Sequence, residues 1–566
     1  MLKNTIIILF FFCFCSYALA ADPPPGQEPG AQAQRYKEEV QQQKQGLEYK
    51  KPKKPEIEVE KEKTQPVKAG PSFLLEGVKV TGSTIFKEED FKQIYEPYIN
   101  KKVTFSDMQA VSGKIESKYK EKGYFTTAVY IPEQDIKGGV IEIRIAEGKM
   151  GNLNIEGNKW FSSDFIEKFF HAKKNEILNI KTLARDILRL NKNPDLEVKA
   201  VLTQGKEPQT SDITLKIEDK LPWHVGFMED NRGSRLTGKY RSMFSIRSSN
   251  VSGLGDTVFL NTLYTGKSYA ESVSYSVPVG TYGTRFGFDV TYFKMKLGRE
   301  FKPFDITGTT QIYTPYISWE LALAEDFEAY ANLGLNIKNI KKSQDSDPTS
   351  KDQLRVPYFG FNFIKTDTQG QTAFSPRFSF GTSGFLGAFS RDHTLLSRDG
   401  TGGFFFKYEQ SLNRMQRMFL GSYMSIRSQL QLASRTLASS EEFQLGGADS
   451  VRGYPEGDYL ADAGGCVNFD WFFPSYFIPE TWKLKGQDMP LRRQIEPVLF
   501  VDLGGGKLKR TLTGERDDKF LAGVGAGIRL NFKLFSLRLD WAKAIGDKQT
   551  SGSGPSTFYF TFQSEI

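Results

Sequence analysis

Arg452 is the only arginine in a glycine-rich, polar stretch of sixteen residues, and nothing in that stretch indicates what it binds. The stretch FQLGGADSVRGYPEGD (443–458) is glycine-rich and polar, without periodicity, and it holds Arg452 between Val451 and the pair Gly453-Tyr454. A guanidinium group is planar and presents its donors in a fixed fork, so it suits a carboxylate that accepts two parallel hydrogen bonds. The first question is therefore which carboxylate Arg452 binds.

A candidate partner, Asp502, follows in the stretch PVLFVDLGGG. In an extended strand Phe500, Asp502 and Gly504 share one face, because successive side chains alternate between faces. If that face lines a lumen, a long loop folded inward brings Arg452 onto Asp502. Such a pair would fix geometry more than it adds stability. The alternative is an ordinary surface loop with an exposed arginine, and an aspartate that is paired elsewhere.

Residue types typical of enzymes do not come together in this chain. The three histidines, His171, His224 and His393, lie far apart and without the spacing of metal ligands. The Ser-x-x-Lys pattern of SKYK (117–120) falls in a charged helical segment, and GVGAG (523–527) lies within an alternating strand. We therefore expect no enzyme activity, no metal site, no cofactor and no nucleotide.

The candidate pair belongs to a region of alternating strands that covers residues 220–566. In RFGFDVTY (285–292) apolar residues alternate with Arg, Gly, Asp and Thr, and FSLRLDW (535–541) sets leucines and tryptophan against Arg538 and Asp540. Period-two alternation buries one face of each strand. Because the other face is repeatedly charged, a wet lumen fits better than the outside of a soluble β-domain, which is the alternative. About 345 residues accommodate about 16 antiparallel strands of a transmembrane barrel.

The N-terminus predicts export from the cytoplasm. MLKNTIIILFFFCFCSYALAAD has an early lysine, an apolar stretch and a small-x-small site, which predicts a signal peptide over residues 1–20, with an anchoring helix as the alternative. Cleavage leaves Cys466 as the only cysteine, so no intramolecular disulfide is expected. The net charge of +8 is spread along the chain without a stacking motif, which argues against a nucleic-acid partner.

Two segments separate the signal peptide from the first folded domain. Residues 21–48 form an N-terminal extension in which AQAQRYKEEVQQQKQGLE has good helix formers and a thin apolar stripe of Tyr36, Val40 and Leu47. Residues 49–71 mix charge and proline without a core-forming pattern, which is typical of a flexible linker. The alternative is a disordered tail without a function.

An internal repeat follows. VKVTGSTIF (78–86) matches LNIEGNKWF (153–161) at an offset of 75 residues. Each copy continues with two helical segments and two alternating strands, so the order β-α-α-β-β occurs twice. The pattern predicts two α+β domains, over residues 72–148 and 149–219, in front of the barrel.

These features together resemble the TpsB transporters of two-partner secretion, the haemolysin-activator and filamentous-haemagglutinin transporter group, which is related to BamA. The two repeats look like POTRA domains, and EDNRGSRLTGKYR (229–241) looks like the entry to the barrel. The most specific element is SVRGY (450–454) followed by FVDLG (500–504). In the family the VRGY loop folds into the pore and its arginine contacts the aspartate of the second motif, which implies an Arg452–Asp502 salt bridge.

The resemblance also implies a plug and leaves one departure. In the family an N-terminal helix can plug the barrel and is joined by a linker to the first POTRA domain, and residues 31–48 and 49–71 fit these descriptions. Relatives commonly end on an aromatic residue that serves as an assembly signal, whereas this chain continues beyond Phe562 to Ile566. The alternatives for the residue that serves insertion are Phe562 and Ile566.

The resemblance implies an outer-membrane pore whose periplasmic POTRA domains recognise an unfolded, TpsA-like, β-helical exoprotein and pass it to the cell surface. Capture by strand addition would use an exposed strand such as 126–131 or 197–202. Outer-membrane lipid and, during biogenesis, the barrel assembly machinery are the other implied partners. The alternatives are a BamA-like assembly factor, which typically has more POTRA domains, and a passive diffusion porin, which needs none.

Overall fold

The computed structural model describes residues 23–48, 55–59, 72–136, 138–487, 489–511, 516–550 and 554–566. Along the chain these form a helix, α1 (Pro29–Glu48), a short strand, β1 (Ile57–Val59), two α/β domains and a β-barrel. The predicted signal peptide and most of the predicted linker lie outside the described residues. Within the described ranges, no helix combines the length and the apolar character that crossing a membrane demands. Short 3-10 segments lie at Pro25–Gln27, Glu96–Tyr98, Arg299–Phe304, Phe385–Gly387 and Phe419–Gly421.

The first α/β domain packs two helices on a three-stranded sheet of order β3-β6-β5. The longer helix begins at a capping box, in which the side chains of Thr104 and Asp107 each accept the other's backbone N–H. Its apolar face, which includes Ile115 and Tyr119, is fully buried against the sheet. The elements are β2 (Phe73–Leu74), β3 (Gly77–Thr81), α2 (Glu89–Tyr95), β4 (Lys102–Val103), α3 (Phe105–Glu121), β5 (Ala128–Tyr130) and β6 (Val140–Ala146).

The second α/β domain repeats this arrangement. Its two helices begin at Ser162 and Asn179, whose side chains accept backbone N–H groups of the first turn. Its sheet pairs β8 with β9 antiparallel and β9 with β7 parallel. The elements are β7 (Lys149–Glu156), α4 (Ser163–Lys168), α5 (Ile180–Leu190), β8 (Leu196–Gln204) and β9 (Thr210–Asp219).

Both domains hold the turn before their first helix with a carboxylate from the end of their last strand. Glu147 accepts hydrogen bonds from the amides of Thr84 and Ile85, at 2.8 and 3.0 Å. In the second domain Asp219 accepts from the three consecutive amides of residues 159–161, at 2.6 to 3.0 Å. The repeat seen in the sequence therefore extends to the side chain that closes this turn.

The strand β1 falls inside the predicted linker and adds a fourth strand to the second domain, giving the order β1-β8-β9-β7. It runs parallel to β8, with Ile57 opposite Ala200 and Val59 opposite Leu202. The expectation of a linker without regular structure is therefore wrong at residues 57–59. The local pattern, Ile and Val alternating with Glu, is that of a half-buried strand, but charged residues and prolines on both sides obscure it.

Sixteen antiparallel strands form a closed barrel, which confirms the predicted fold and strand number. In chain order a small hairpin, β21–β22, lies between the wall strands β20 and β23. A short helix, α6, precedes the wall strand β24. The elements are β10 (Trp223–Asp230), β11 (Arg241–Ser248), β12 (Thr257–Tyr264), β13 (Ser268–Pro278), β14 (Arg285–Lys296), β15 (Thr307–Leu323), β16 (Phe327–Gln344), β17 (Asp347–Thr366), β18 (Gly370–Gly381), β19 (Phe405–Arg417), β20 (Tyr423–Ala433), β21 (Phe443–Leu445), β22 (Tyr459–Ala461), β23 (Ala463–Phe472), α6 (Leu491–Gln494), β24 (Ile495–Lys507), β25 (Asp518–Asn531), β26 (Phe535–Ala544) and β27 (Ser556–Glu565).

The barrel closes where β27 pairs with β10. Beyond β27 the chain stays in register, because Ile566 and Val225 exchange two backbone hydrogen bonds of 2.9 Å. Along the strands apolar side chains point outward and polar ones inward: Phe286 and Phe288 of β14 are 46% and 39% exposed on the outer surface, whereas Thr291 is buried. An outward apolar face is what lipid requires of such a wall.

Two neighbouring strands are much longer than the membrane requires. β16 has 18 residues and β17 has 20, and at about 3.3 Å per residue β17 is roughly 66 Å long. A tilted strand of about ten residues already crosses the bilayer. Because β10 begins next to the α/β domains and successive strands alternate in direction, the β16–β17 turn projects on the opposite side.

Candidate functional site in the barrel lumen

The loop between β20 and β23 folds back into the lumen and carries the VRGY motif. Its side chains Val451, Arg452 and Tyr454 are fully buried. Gly453 has a φ of +98°, and a Cβ atom there would lie 2.7 Å from the amide nitrogen of Ala544. Glycine is required at this position because it alone combines a left-handed backbone with so close an approach, and it lets the loop lie directly against the wall.

The structure brings Arg452 and Asp502 together as a two-pronged ion pair. Arg452 Nε lies 2.6 Å from Asp502 Oδ2, and Arg452 Nη2 lies 2.7 Å from Asp502 Oδ1. The backbone N–H of Arg452 also donates to Asp502, at 3.0 Å. Three hydrogen bonds from one residue to one carboxylate fix both the side chain and the main chain of the loop.

The other two residues of the predicted wall motif, Phe500 and Gly504, also contact the loop that carries Arg452. The ring of Phe500 lies against the guanidinium, with 3.5 Å between the Arg452 Cζ atom and the ring centroid. Gly504 leaves space for the loop, because a Cβ atom there would lie 2.8 Å from side-chain carbons of both Leu445 and Val451. Phe500 and Gly504 thus share the face of Asp502. The ring of Phe500 packs on the guanidinium, and the missing side chain of Gly504 leaves space for the loop.

Three further residues surround Arg452 that the sequence did not predict. Arg452 Nη2 lies 2.7 Å from Asp470 Oδ1, and Arg452 Nη1 lies 3.7 Å from Asp540 Oδ2. Asn468 donates to Asp502 Oδ1 at 2.7 Å. The inward position of Asp540 was visible in the alternation of its strand, but its closeness to Arg452 depends on how the barrel curves, which the sequence does not show.

Tyr454 and Tyr559 attach the other side of the motif to the wall. The hydroxyl of Tyr454 accepts from the amide of Gly546 at 3.1 Å and donates to the carbonyl oxygen of Asp547 at 3.0 Å. The hydroxyl of Tyr559 accepts from the amide of Gly453 at 3.1 Å and donates to the carbonyl oxygen of Tyr454 at 3.0 Å. Every polar group of these two buried rings is therefore bonded to backbone.

The helix α1 occupies the lumen beside the loop. The hydroxyl of Tyr36 donates to the carbonyl oxygen of Asn261 at 2.9 Å. Lys37 Nζ donates to Thr314 Oγ1 and Asn336 Oδ1, at 2.9 and 2.7 Å. A narrow apolar stripe, Ala33, Tyr36 and Val40, packs on apolar residues of the wall. The helix is thus held by buried hydrogen bonds and by one apolar stripe.

The helix also contacts the loop itself. Gln444 Nε2 donates to the carbonyl oxygen of Ala31 at 2.7 Å, and Arg35 Nη1 lies 3.7 Å from Glu456 Oε2. On the wall, Arg232 pairs with Asp449 of the loop and lies 3.5 Å from Glu39 of the helix. The same charged cluster therefore joins the helix, the loop and the barrel.

Two histidines lie where the second α/β domain meets the barrel. His171 Nδ1 lies 2.7 Å from Asp186 Oδ1, and its Nε2 lies 2.9 Å from Thr281 Oγ1 in the turn between β13 and β14. His224 Nε2, at the start of the barrel, lies 2.8 Å from Asp195 Oδ1 of the domain. Within the described residues no three potential ligands gather as a metal site would require. These histidines are docking residues.

Comparisons with known proteins agree with this architecture. The family model described as "Haemolysin secretion/activation protein ShlB/FhaC/HecB" matches residues 209–530, and the model described as "POTRA domain, ShlB-type" matches residues 73–148. Two similar proteins are the heme/hemopexin transporter protein HuxB of Haemophilus influenzae, 24% identical over 78% of both chains, and the outer membrane transporter CdiB of Dickeya dadantii, 25% identical over 69% of this chain and 71% of CdiB.

Solved structures show the same fold. CdiB from Escherichia coli has a TM-score of 0.74 at 20% identity, covering 97% of this chain and 100% of CdiB. BamA from Haemophilus ducreyi lacking POTRA domains 1–3 has a TM-score of 0.52 at 13% identity, over 87% of this chain and 100% of BamA. Because the first family model spans more than half of the sequence, the chain belongs to the haemolysin secretion/activation family ShlB/FhaC/HecB, the outer-membrane transporters of two-partner secretion.

Proposed function

We propose that this transporter accepts an unfolded exoprotein at its POTRA domains and passes it through the lumen after α1 has moved out. The protein lies in the outer membrane with its POTRA domains in the periplasm, as its family does. The observation that carries the proposal is how the lumen is filled: a separate helix and an inward loop occupy it, held to the wall by hydrogen bonds and ion pairs.

The dimensions and chemistry of α1 suit a removable plug. A helix of 20 residues is about 30 Å long, which is close to the thickness of the hydrocarbon core. Its contacts with the wall are mostly polar, and hydrogen bonds exchanged for water cost only about 1 kcal/mol each. The apolar stripe of the helix is short, three residues, and ten buried apolar residues of the barrel complete the cluster on which it packs.

The ion pair of Arg452 has a different function in this proposal. It holds the VRGY end of the loop against Asp502 while the part of the loop around Gln444 and Glu456, which contacts α1, rearranges. Removal of α1 would then open the lumen without releasing the whole loop. A polar lumen would accept an extended chain without trapping it.

Capture would begin at an open sheet edge of the POTRA domains. In the described part of the first domain β5 pairs with β6 on one side only, so its other edge is available for strand addition. HuxB is named a heme/hemopexin transporter and HpmB of Proteus mirabilis a hemolysin transporter. For this chain we propose a large TpsA-like, β-helical exoprotein as cargo.

The remaining partners follow from the location. Outer-membrane lipid would cover the apolar outer face, and the barrel assembly machinery would insert the strands. No catalytic step, cofactor or nucleotide is part of the proposal, so folding of the exoprotein outside the cell would drive export.

Secretion in a Gram-negative host tests this function. The chain is expressed with an exoprotein encoded beside it, and surface exoprotein is measured by protease digestion of intact cells. We expect exoprotein at the surface only when the chain is present, while the amounts of other barrels stay constant. A general loss of barrels on depletion would instead indicate an assembly factor, and surface exoprotein in cells lacking the chain would contradict the proposal.

A further inference from the structure

Among the connections on the POTRA side of the barrel, the loop between β23 and β24 is the longest. It covers residues 473–494, whereas the turn between β17 and β18 on the same side covers only residues 367–369. Connections on the periplasmic side of outer-membrane barrels are ordinarily short turns. Joining two neighbouring strands therefore does not account for a loop of this length.

Hydrogen bonds within the loop give it a defined fold. The hydroxyl of Ser475 donates to the carbonyl oxygen of Ile495 at 2.6 Å, and its amide donates to the carbonyl oxygen of Arg492 at 3.0 Å. The amide of Leu491 donates to the carbonyl oxygen of Trp482 at 2.8 Å. Because the backbone is bonded in this way, the fold of the loop determines which side chains it exposes.

The loop and the neighbouring turn between β19 and β20 expose apolar side chains together. Phe477 is 80% exposed, and Leu420 of the turn is 77% exposed. The hydroxyl of Tyr476 donates to the carbonyl oxygen of Leu420 at 2.9 Å, which joins the two segments. We call this surface the rim patch, and its residues are Phe419, Leu420, Tyr476, Phe477, Trp482 and Met489. A cluster of exposed apolar residues indicates a surface that binds a partner or a membrane.

The rim patch continues the lipid-facing surface of the barrel wall. Asp470 of β23 points into the lumen toward Arg452, so Phe469 and Trp471 on either side of it point outward. The ring of Phe419 packs edge-on against Trp471, with 5.6 Å between the ring centroids. The patch therefore begins where the apolar wall ends, at the level of the periplasmic headgroups, where aromatic side chains of membrane proteins are enriched.

The contacts of the second POTRA domain with the barrel lie in another sector of this rim. His171 contacts Thr281 in the turn between β13 and β14, and Arg189 Nη2 lies 2.6 Å from Glu320 Oε1 at the end of β15. The rim patch lies at the ends of β19, β20, β23 and β24. Docking of the domain therefore leaves the patch facing the membrane.

Basic side chains accompany the apolar ones. The segment 473–494 contains four basic and two acidic residues, and Lys483, Lys485 and Arg493 are exposed. The guanidinium of Arg492 lies over the ring of Tyr476, with 4.8 Å between Cζ and the ring centroid. An apolar surface with lysine and arginine at its edge is typical of a segment that lies in the interface of an anionic membrane.

We propose that the rim patch is a binding site for anionic phospholipid of the periplasmic leaflet. Its apolar side chains insert among the acyl chains next to the barrel, and its basic side chains bind the phosphate groups. The site anchors the sector of the rim that the POTRA domains do not hold. This inference requires that the barrel lies in the outer membrane, and it is independent of the proposed secretion step.

Quenching by spin-labelled phospholipid tests the insertion. The full-length Phe477→Cys protein carries a fluorophore at residue 477 and is placed in phospholipid nanodiscs. The matched control is Glu133→Cys, at an exposed position of the first POTRA domain, and the wild type measures the background from the buried Cys466. Heat-modified migration in gels checks that each variant is folded.

We expect spin-labelled lipid to quench the fluorophore at residue 477 at least twofold more than the one at residue 133. Equal quenching at the two positions would overturn the proposal. A fluorophore at residue 477 that is shielded from water but not quenched by lipid would overturn it as well, because protein, such as a second copy of the chain, would then cover the patch.

Substitution of the basic residues tests the preference for anionic lipid. In the Phe477→Cys protein, spin-labelled phosphatidylglycerol should quench about twofold more than the same fraction of spin-labelled phosphatidylcholine, and adding K483Q/K485Q/R493Q should bring this ratio to about one. The control K87Q/K92Q/K122Q removes three exposed charges from the first POTRA domain and should leave the ratio unchanged. A ratio that K483Q/K485Q/R493Q does not alter would overturn the assignment of anionic phospholipid as the ligand.

Discussion

Arg452 is surrounded by more negative charge than one partner supplies. Asp502 binds it twice, Asp470 lies 2.7 Å away, and Asp540 lies 3.7 Å away. Three carboxylates around one guanidinium would repel one another, and further arginines on the wall offset this: Arg529 Nη1, for example, lies 2.6 Å from Asp540 Oδ1. Such a network loses stability when one member is removed, since the others stay buried without a counter-charge.

Replacing Arg452 with alanine should lower the free energy of unfolding by about 3–5 kcal/mol. Arg452→Lys keeps the charge but loses the fork, so it should recover only part of this loss. The control is Arg414→Ala: Arg414 pairs with the half-exposed Asp367, and that substitution should cost less than about 1 kcal/mol. Urea unfolding in detergent, followed by tryptophan fluorescence, measures all three, and equal losses for the two alanine variants would contradict the prediction.

Glu147 links the stability of the first POTRA domain to pH. Burial alone would raise the pKa of its carboxyl, but hydrogen bonds from the Thr84 hydroxyl, the amides of Thr84 and Ile85 and the Tyr119 hydroxyl outweigh it, so the pKa is lowered. A group whose pKa is lower in the folded state contributes stability above its unfolded pKa of about 4.3, and this contribution is lost as pH falls below that value.

We therefore expect the amides of the turn at 83–86 to lose protection from hydrogen exchange as pH falls below about 4.3, after correction for the intrinsic rate. In Glu147→Gln their protection should be low at every pH, whereas Glu133→Gln, at an exposed position, should behave like the wild type. Mass spectrometry of the corresponding peptide measures this. If the Glu147→Gln protein showed the same pH profile of amide protection as the wild type, Glu147 would not be the group that links this turn to pH.

At the scale of elements, the proposed function of α1 as a plug requires that the helix can leave the lumen. Its amphipathic stripe is thin, and the structure begins it at Pro29, two residues before the predicted segment. A wall strand in its place would be fixed by a ladder of backbone hydrogen bonds, whereas α1 donates from side chains such as Lys37 to the wall.

Loss of these side-chain contacts should open the pore. Lys37→Ala removes two hydrogen bonds from a charged donor, which costs about 2 kcal/mol and shifts the plugged–open equilibrium roughly 30-fold toward open. Deleting residues 29–48 should give a permanently open channel. Gln42→Ala is the control on the same helix, because Gln42 is exposed within the lumen. Single-channel recordings in planar bilayers test this, and equal open times for all variants would exclude the plug.

At the scale of the molecule, the barrel depends on one seam, β10 with β27. Phe562 packs at this seam, with ring centroids 6.4 Å from Phe227 and 5.8 Å from Phe535. Ile566 takes part only through its backbone, since it is 82% exposed. Of the two residues, Phe562 is therefore the one whose side chain packs at the seam.

The fraction of barrel that folds should depend on the side chain of Phe562 and not on that of Ile566. Phe562→Ala should lower the fraction of folded barrel several-fold, while Ile566→Ala should leave it unchanged, because the latter keeps both hydrogen bonds to Val225. Removing residues 564–566 should act like Phe562→Ala. Heat-modified migration in gels measures the folded fraction. A loss in Ile566→Ala as large as in Phe562→Ala would contradict this account of the seam.

The sequence predicted the barrel and the two POTRA domains because period-two alternation and the repeat are local signals. It also named Arg452 and Asp502, through motifs known from the family. Asn468 and Asp470 were missed because the register between β23 and β24, which sets them opposite Asp502 and Phe500, is a non-local property. β1 was missed for the related reason that a strand of three residues is recognisable only from its partner.

The β16–β17 hairpin extends beyond the membrane on the outer face of the cell. Two paired strands of this length are stiffer than a loop, and their turn at Asp345-Ser346 stands well above the bilayer. A large particle that approaches the outer face along the barrel axis would therefore meet this turn ahead of the barrel wall. Sequence change under immune or viral pressure should therefore concentrate at the crest of this hairpin, while the lumen beneath it stays constant.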